Sequence, residues 1–263
     1  MRKTLMLSAA LSLLAISKVV AQGSTILIPT LYSGAGAFGS TWWSSVVINN
    51  HSSAGFSSPG VQFAVECPIP EGCTSDTVGA GEFGEIVGPR PAAGLLLHGD
   101  AAVLSLLAFQ GRFGQGSFYF TNGTELPIVR ENAFVRTPIR FPYVTLHLTH
   151  VSVRSTLRIY GPDAEPGTQV RVEVRFWDSP TGQPIASETV QLSVPSQPTQ
   201  SPLFPAYAQL SLQQEFPFEQ LNGSSFNITV VPLASSSGSI PRIWAFISTT
   251  ENVSQQVSVQ TPQ

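Results

Sequence analysis

Apolar and polar residues alternate with a period of two along most of the chain. In residues 170–176, valine and phenylalanine occupy every second position, and Arg171, Glu173 and Arg175 lie between them. The same alternation occurs in residues 61–65, 154–159 and 226–230. Period two with β-branched and aromatic residues is typical of half-buried strands. Because Gly- and Pro-rich turns separate these runs, and residues 207–218 hold one helical turn at most, the pattern predicts an all-β fold.

The first 21 residues have the organisation of a secretory signal peptide. Arg2 and Lys3 precede an apolar run over residues 5–16, and small or modest side chains at 19–21 precede a predicted cleavage before Gln22. An apolar run of about a dozen residues is too short for a membrane-spanning helix, which needs roughly 20. We therefore expect a secreted protein, periplasmic or extracellular, with no membrane span.

A weak internal repeat predicts two domains. Residues 43–50 followed by 61–66 resemble residues 153–160 followed by 170–176, about 110 positions later. Residues 101–110 match residues 241–250 as a long apolar strand in each half. Units of this size fit immunoglobulin-like folds. The prediction is two tandem immunoglobulin-like antiparallel β-sandwich domains, at 22–135 and 136–263, with a protease-sensitive join within residues 122–140.

Composition limits the classes of function. The chain has 263 residues, 22 Gly, 21 Pro and 11% charged residues, which disfavours helical bundles and coiled coils. At 42% hydrophobic residues, it has enough apolar material for a folded core. Beyond residue 21 it has no Lys, and ten Arg face 16 acidic residues. Such a chain is a poor nucleic-acid binder, because phosphate recognition needs a basic surface.

Several short segments resemble a group of uncharacterised secreted bacterial proteins built from paired immunoglobulin-like β-sandwich repeats. An Ile-Leu-Ile-Pro run at 26–29 precedes a Gly-rich loop at 34–39 and an aromatic-Ser strand ending in Asn at 42–49. Residues 153–160 have the same place in the second half, and residues 243–252 are similar to the final strand and polar tail of the group. The resemblance implies a sandwich fold and an exported location, and it carries no catalytic residues.

The two cysteines, Cys67 and Cys73, are separated by five residues that include two Pro and a Gly. An even number of cysteines in a secreted chain predicts a disulfide, here across a short turn. The alternative is a redox-active pair, which lacks the usual Cys-x-x-Cys spacing.

No motif predicts catalysis, a cofactor or a metal. The glycines at 34, 36 and 39 match a dinucleotide-binding spacing, but a strand rather than a helix follows them. His147 and His150 point to opposite faces of a strand, and His98 with Asp100 lacks the context of a hydrolase triad. We expect a non-catalytic binding, adhesion or structural protein. A secreted hydrolase or a carbohydrate-binding module acting on polysaccharide is the alternative.

Two groups of residues are candidates for binding. If residues 153–160 and 168–177 form a hairpin, four of the ten arginines beyond residue 21 surround one carboxylate on a single face. The predicted face comprises Arg154, Arg158, Tyr160, Arg171, Glu173 and Arg175. It is either a solvated Arg–Glu network or a docking face for an unidentified protein or glycan of acidic character.

The second group is the adjacent pair Trp42 and Trp43. Neighbours on a strand point to opposite faces, so one belongs to the core and the other points outward or to a rim, where an exposed ring can stack on a sugar or anchor a partner. The interpretation we favour is burial of both, one of them under the neighbouring domain. Asn-x-Ser/Thr sequons, which are glycan acceptors in eukaryotic secreted proteins, occur at Asn50, Asn122, Asn222, Asn227 and Asn252.

Overall fold

The computed structural model describes residues 23–31, 33–35, 41–66, 73–88, 93–115, 124–145, 153–163, 170–194, 204–213, 225–252, 254 and 256–262. The predicted signal peptide lies outside these residues. Within them the chain forms twenty strands, one short α-helix and one 3-10 turn, and all strand pairs are antiparallel. The all-β prediction is confirmed.

Strands of the N-terminal half, which we define as the residues up to 135, form two sheets and a short pair. They are β1 (Gly23–Ile28), β2 (Ser33–Ala35), β3 (Thr41–Asn50), β4 (Phe56–Ser57), β5 (Gln62–Val65), β6 (Cys73–Ser75), β7 (Thr77–Val78), β8 (Phe83–Gly88), β9 (Leu95–Asp100), β10 (Leu107–Gln115), β11 (Thr124–Glu125) and β12 (Val129–Arg130). One sheet has the order β12-β1-β9, and the other has the order β11-β10-β3-β8-β5-β6 with β2 beside β3. Strand β4 pairs with β7.

The core of the N-terminal half lies between its two sheets. Alternate residues of β3 and β5, such as Val46, Ile48 and Phe63, pack with Ile26 and Leu97 from the smaller sheet. The period-two pattern predicted at residues 61–65 is confirmed, because Val61 and Phe63 are buried while Gln62 is exposed.

Residues 101–110 are not one strand, and that prediction is wrong. The side chain of Asp100 accepts hydrogen bonds from the amides of Ala102 and Val103, which begins α1 (Ala101–Ser105). The guanidinium of Arg130 donates to the carbonyls of Leu104 and Leu107, where the helix ends and β10 begins. At five residues, this helix of the described chain is too short to cross a membrane.

Strands of the C-terminal half form two further sheets. They are β13 (Ile139–Thr145), β14 (Val153–Gly161), β15 (Val170–Asp178), β16 (Pro184–Leu192), β17 (Ala206–Ser211), β18 (Ser225–Pro232), β19 (Trp244–Glu251) and β20 (Val257–Gln260). The two four-stranded sheets have the orders β13-β18-β15-β16 and β17-β14-β19-β20. Their inner faces enclose one apolar core that includes Leu157, Ile159, Val174 and Ile228. This half is a β-sandwich, and the alternation predicted at 154–159, 170–176 and 226–230 is confirmed.

The strand pairs that suggested a repeat are paired differently in the two halves. Strands β3 and β5 belong to one sheet with β8 between them, whereas β14 and β15 belong to different sheets. No sheet of the described residues contains strands from both sides of residue 135. The internal similarity therefore does not extend to strand pairing.

The segment predicted as an exposed join is packed in part. Over its described residues, 124–140, it forms β11, β12 and a 3-10 turn at Glu131–Ala133. Leu126, Val129 and Phe134 are buried, and Val129 and Phe134 pack with residues of both halves. Residues 132–133 and 136–138 are exposed, so first cleavage in this segment stays a prediction for limited proteolysis.

Candidate functional site

Strands β14 and β15 do not form the predicted hairpin. Strand β14 pairs with β17 and β19, and β15 pairs with β16 and β18. The apolar sides of both strands face the same core from opposite sheets, so their polar sides point in opposite directions. The prediction failed because the period-two pattern gives the face of a strand and not its neighbour.

The predicted binding face is consequently divided into two. Arg171, Glu173 and Arg175 lie on the outer surface of the sheet β13-β18-β15-β16, which we call the open face. The other predicted members, on β14, lie on the side of the second sheet that faces the N-terminal half. The single cluster of four arginines around one carboxylate does not exist.

The open face gains a third arginine from β13. Arg140 and Arg175 lie on either side of Thr229 of β18, which places their Cα atoms about 10 Å apart at ordinary strand spacing. Arg171 is four residues from Arg175 on the same strand, or about 13 Å at ordinary strand rise. Arg140 and Arg171 are exposed, and neither makes an ion pair with any described residue. Sequence analysis assigned Arg140 to the join and missed its role.

One carboxylate offsets these charges in part. A nitrogen of Arg175 donates to Oε2 of Glu173 at 2.8 Å, and this hydrogen bond lowers the pKa of the Glu173 carboxyl. Both side chains are partly exposed, so the ion pair adds little to stability. The outward strand positions of the open face thus carry three Arg and one Glu, a net charge of two positive units.

Two aromatic residues border the arginines. Trp177 is opposite Asn227 on the open face and is partly buried. Tyr143 is 76% exposed, and its amide donates to Oδ1 of Asn227 at 3.1 Å. Its φ of 54° lies in the left-handed region, which is uncommon for a bulky residue, at a point where the β13–β18 register shifts. Sequence analysis missed Tyr143, because Pro142 interrupts the alternation.

Trp42 and Trp43 are both buried, each with 5% exposure, which confirms the favoured interpretation and leaves neither as an exposed binding residue. The ring of Trp42 stacks on Phe113, with centroids 4.9 Å apart. The guanidinium of Arg154, from the C-terminal half, lies 5.9 Å from the centre of the Trp42 ring. Trp42 is covered because the second half packs over this end of β3.

Tyr160, predicted to point outward, is completely buried between the two halves. Its hydroxyl donates to the carbonyl oxygens of Pro29 and Ala93, both in the N-terminal half. Its ring packs with Trp244 and Phe246, and burial raises the pKa of the phenol. The prediction was wrong because the N-terminal half covers this side of β14.

An ion network also joins the halves. Nε and a terminal nitrogen of Arg242 donate to the two oxygens of Asp163, and its other terminal nitrogen donates to Glu131. The second oxygen of Glu131 accepts from the amide of Thr25 on β1 at 2.8 Å. These carboxylates raise the pKa of Arg242 and keep it charged. No local sequence signal indicates this network, because its members are distant along the chain.

The residues considered for catalysis have other roles or lie outside the description. Asp100 caps α1, and Nδ1 of His98 lies 3.2 Å from the hydroxyl of Thr25. Within the described ranges, no three His, Cys, Asp or Glu side chains are grouped to hold a metal ion. His147 and His150 fall outside those ranges, as do the glycines at 36 and 39.

No known protein family, curated protein or solved structure matches this chain. Its candidate site is therefore judged on its own geometry. The open face is the feature best suited to bind a ligand, because it is exposed, carries excess positive charge and borders two aromatic side chains.

The disulfide stays a prediction. Cys73 begins β6 and lies opposite Val65 of β5, while Cys67 lies outside the described residues. We expect no alkylation without reductant and two added alkyl groups after reduction, measured by intact mass. Alkylation of both thiols in unreduced protein would contradict the prediction.

Proposed function

We propose that the protein is an exported, non-catalytic binding protein that binds anionic polysaccharide through the open face. The supporting observation is the exposure of Arg140 and Arg171 beside the Arg175–Glu173 pair, in a chain whose overall charge is −3. Guanidinium groups bind sulfate and carboxylate groups through paired hydrogen bonds. A repeating anionic polymer presents such groups in series and matches arginines spaced along a sheet.

The remaining composition of the open face favours a glycan over a protein partner. The outward positions near the arginines carry hydroxyl and amide side chains, such as Thr189, Gln191 and Thr229, which suit sugar hydroxyl groups. Trp177 and Tyr143 supply rings that can stack on sugar faces. Protein interfaces usually have an apolar centre, and this face has a polar one.

Export and domain organisation in this proposal rest on the sequence. The basic and apolar segments within residues 1–21 support export, and the resemblance of residues 26–29, 34–39 and 42–49 supports an origin among secreted bacterial sandwich proteins. The absence of mixed sheets across residue 135 in the described chain supports two sandwich units.

The test compares dextran sulfate with unsulfated dextran of equal length, using immobilised polymer and purified protein. We expect binding to dextran sulfate only. An exposed ion pair contributes up to about 1 kcal/mol, so Arg140→Gln with Arg171→Gln, which removes two of them, should weaken binding by up to about thirtyfold. The control, Arg136→Gln, removes an exposed arginine that precedes β13, and it should bind within about twofold of the parent.

Equal binding of the double variant and the parent, or equal binding of both polymers, would contradict the proposal. The length of the dextran sulfate after incubation distinguishes the hydrolase alternative. A hydrolase shortens the polymer, whereas a binding protein leaves it intact. If the protein bound neither polymer but captured an acidic protein, the ligand of the open face would be a protein and the polysaccharide proposal would be wrong.

A further inference from the structure

A second positively charged region lies between the halves, on the sheet β17-β14-β19-β20. The side of this sheet that faces the N-terminal half begins as an apolar zone, where Tyr160, Trp244 and Phe246 pack with Leu27 and Leu96. Farther along the same strands the side chains become polar. We call this second zone the polar trough, and its members are Arg154, Thr156, Arg158, Gln209, Ser211, Ser248 and Thr250.

Arg158 is a partly buried charge without a counter-charge. Its guanidinium donates to the hydroxyl of Ser248 and lies 5.5 Å from the centre of the Phe246 ring. It makes no ion pair with any described residue. Burial lowers the pKa of Arg158, but an arginine stays protonated at neutral pH. A buried charge that is not neutralised by an ion costs free energy, and an anion from solution would reduce that cost.

The rest of the polar trough is suited to a ligand that carries an oxyanion and several hydroxyl groups. Thr156 is opposite Ser248 on one side and Ser211 on the other, which makes a row of three hydroxyls beside Arg158. Beyond this row Arg154 lies over Trp42 and donates to Asn252. The two arginines are four residues apart, or about 13 Å along the strand.

The trough is accessible from one side. Gln209 of β17, directly opposite Arg158, is exposed, and Ser211 is partly exposed. Ser248 and Thr250 are buried on the other side. A small ligand can therefore approach Arg158 from the β17 edge, whereas a long polymer fits the open face better.

We propose that the polar trough is a second binding site, specific for a small carboxylate- or sulfate-bearing molecule such as a sugar acid. The anionic group binds Arg158, and the hydroxyl row contacts the rest of the ligand. This site is independent of the open face, since the two lie on opposite sheets of the C-terminal half.

The test uses isothermal titration of the full protein with sodium glucuronate, sodium sulfate and neutral glucose at constant ionic strength. We expect glucuronate or sulfate to bind at one site and glucose not to bind. Arg158→Gln should weaken anion binding at least about tenfold, as expected for loss of a charge-assisted hydrogen bond. Arg136→Gln, an exposed arginine outside both the open face and the polar trough, is the control and should bind like the parent. Glucuronate and sulfate binding equally indicates a general oxyanion site, and glucuronate alone indicates a sugar-acid site.

If Arg158→Gln does not fold, a second variant, Arg154→Gln, still tests the site. It should weaken anion binding about threefold. Absence of anion binding in the parent, or equal binding by the parent and folded Arg158→Gln, would overturn the proposal. Equal weakening by Arg136→Gln would also overturn it, because binding would then follow net charge. Results on dextran sulfate test the open face separately.

Discussion

Replacing Asn50 with Ala is expected to lower the free energy of unfolding by at least about 3 kcal/mol. Asn50 is completely buried at the end of β3, and its Nδ2 donates to the carbonyls of Ala54, Val78 and Gly79 at 2.8 to 3.0 Å. Its Oδ1 accepts from the amide and the hydroxyl of Ser52. Alanine leaves these buried groups without their partner, and each such group costs about 1 to 3 kcal/mol.

Asn49 provides a matched control, because it is the neighbouring residue on β3 and is exposed. Asn49→Ala should change the free energy of unfolding by less than about 0.5 kcal/mol. Equilibrium denaturation in guanidinium chloride measures both variants. Equal effects at the two positions would contradict the described packing. The burial of Asn50 also argues against glycosylation of this sequon in the folded protein.

Replacing Tyr160 with Ala is expected to destabilise the protein by about 3 to 5 kcal/mol, the range for a buried aromatic ring. The ring fills the contact between the halves, and a Cβ added to Gly94 would lie 2.9 Å from it. The hydroxyl bonds to Pro29 and Ala93 would also be lost. Because one residue packs in both halves, we expect a single cooperative unfolding transition in the parent.

Tyr160→Phe isolates the hydroxyl and should cost about 1 to 2 kcal/mol. Tyr207→Phe is its control, because Tyr207 packs against Tyr160 and is only partly buried. The measurement is thermal or denaturant unfolding followed by tryptophan fluorescence. If Tyr160→Phe were no more destabilising than Tyr207→Phe, the bonds to the N-terminal half would not contribute to stability.

Sequence periodicity predicted strands well and their partners poorly. Val172, Val174 and Phe176 are buried as the alternation required, because a half-buried strand needs one apolar side. The same pattern is compatible with β14 and β15 as one hairpin or as members of two sheets. It therefore could not show whether Arg158 lies beside Arg171 or on the opposite sheet. Pairing depends on contacts that are distant in sequence.

The sequence also gives no local signal that shows which strand faces the other half of the chain covers. Tyr160 lies on a strand face that a single sandwich would expose, and the N-terminal half covers it. In contrast, a local signal for α1 was present, since Asp100 precedes two alanines and is a favoured N-cap residue. The third arginine of the open face was hidden because β13 continues past Pro142 with a register shift.

Arginine footprinting with a dicarbonyl reagent and peptide mass spectrometry tests the central claim, which is that the arginines of β14 and β15 occupy different surfaces and that the open face binds anionic polysaccharide. Without ligand, Arg140, Arg171 and Arg175 should react quickly and Arg158 slowly. Dextran sulfate should protect these three fast-reacting residues and leave Arg136 unchanged. Equal reactivity of Arg158 and Arg171, or equal protection of Arg136 and the open face, would contradict the account.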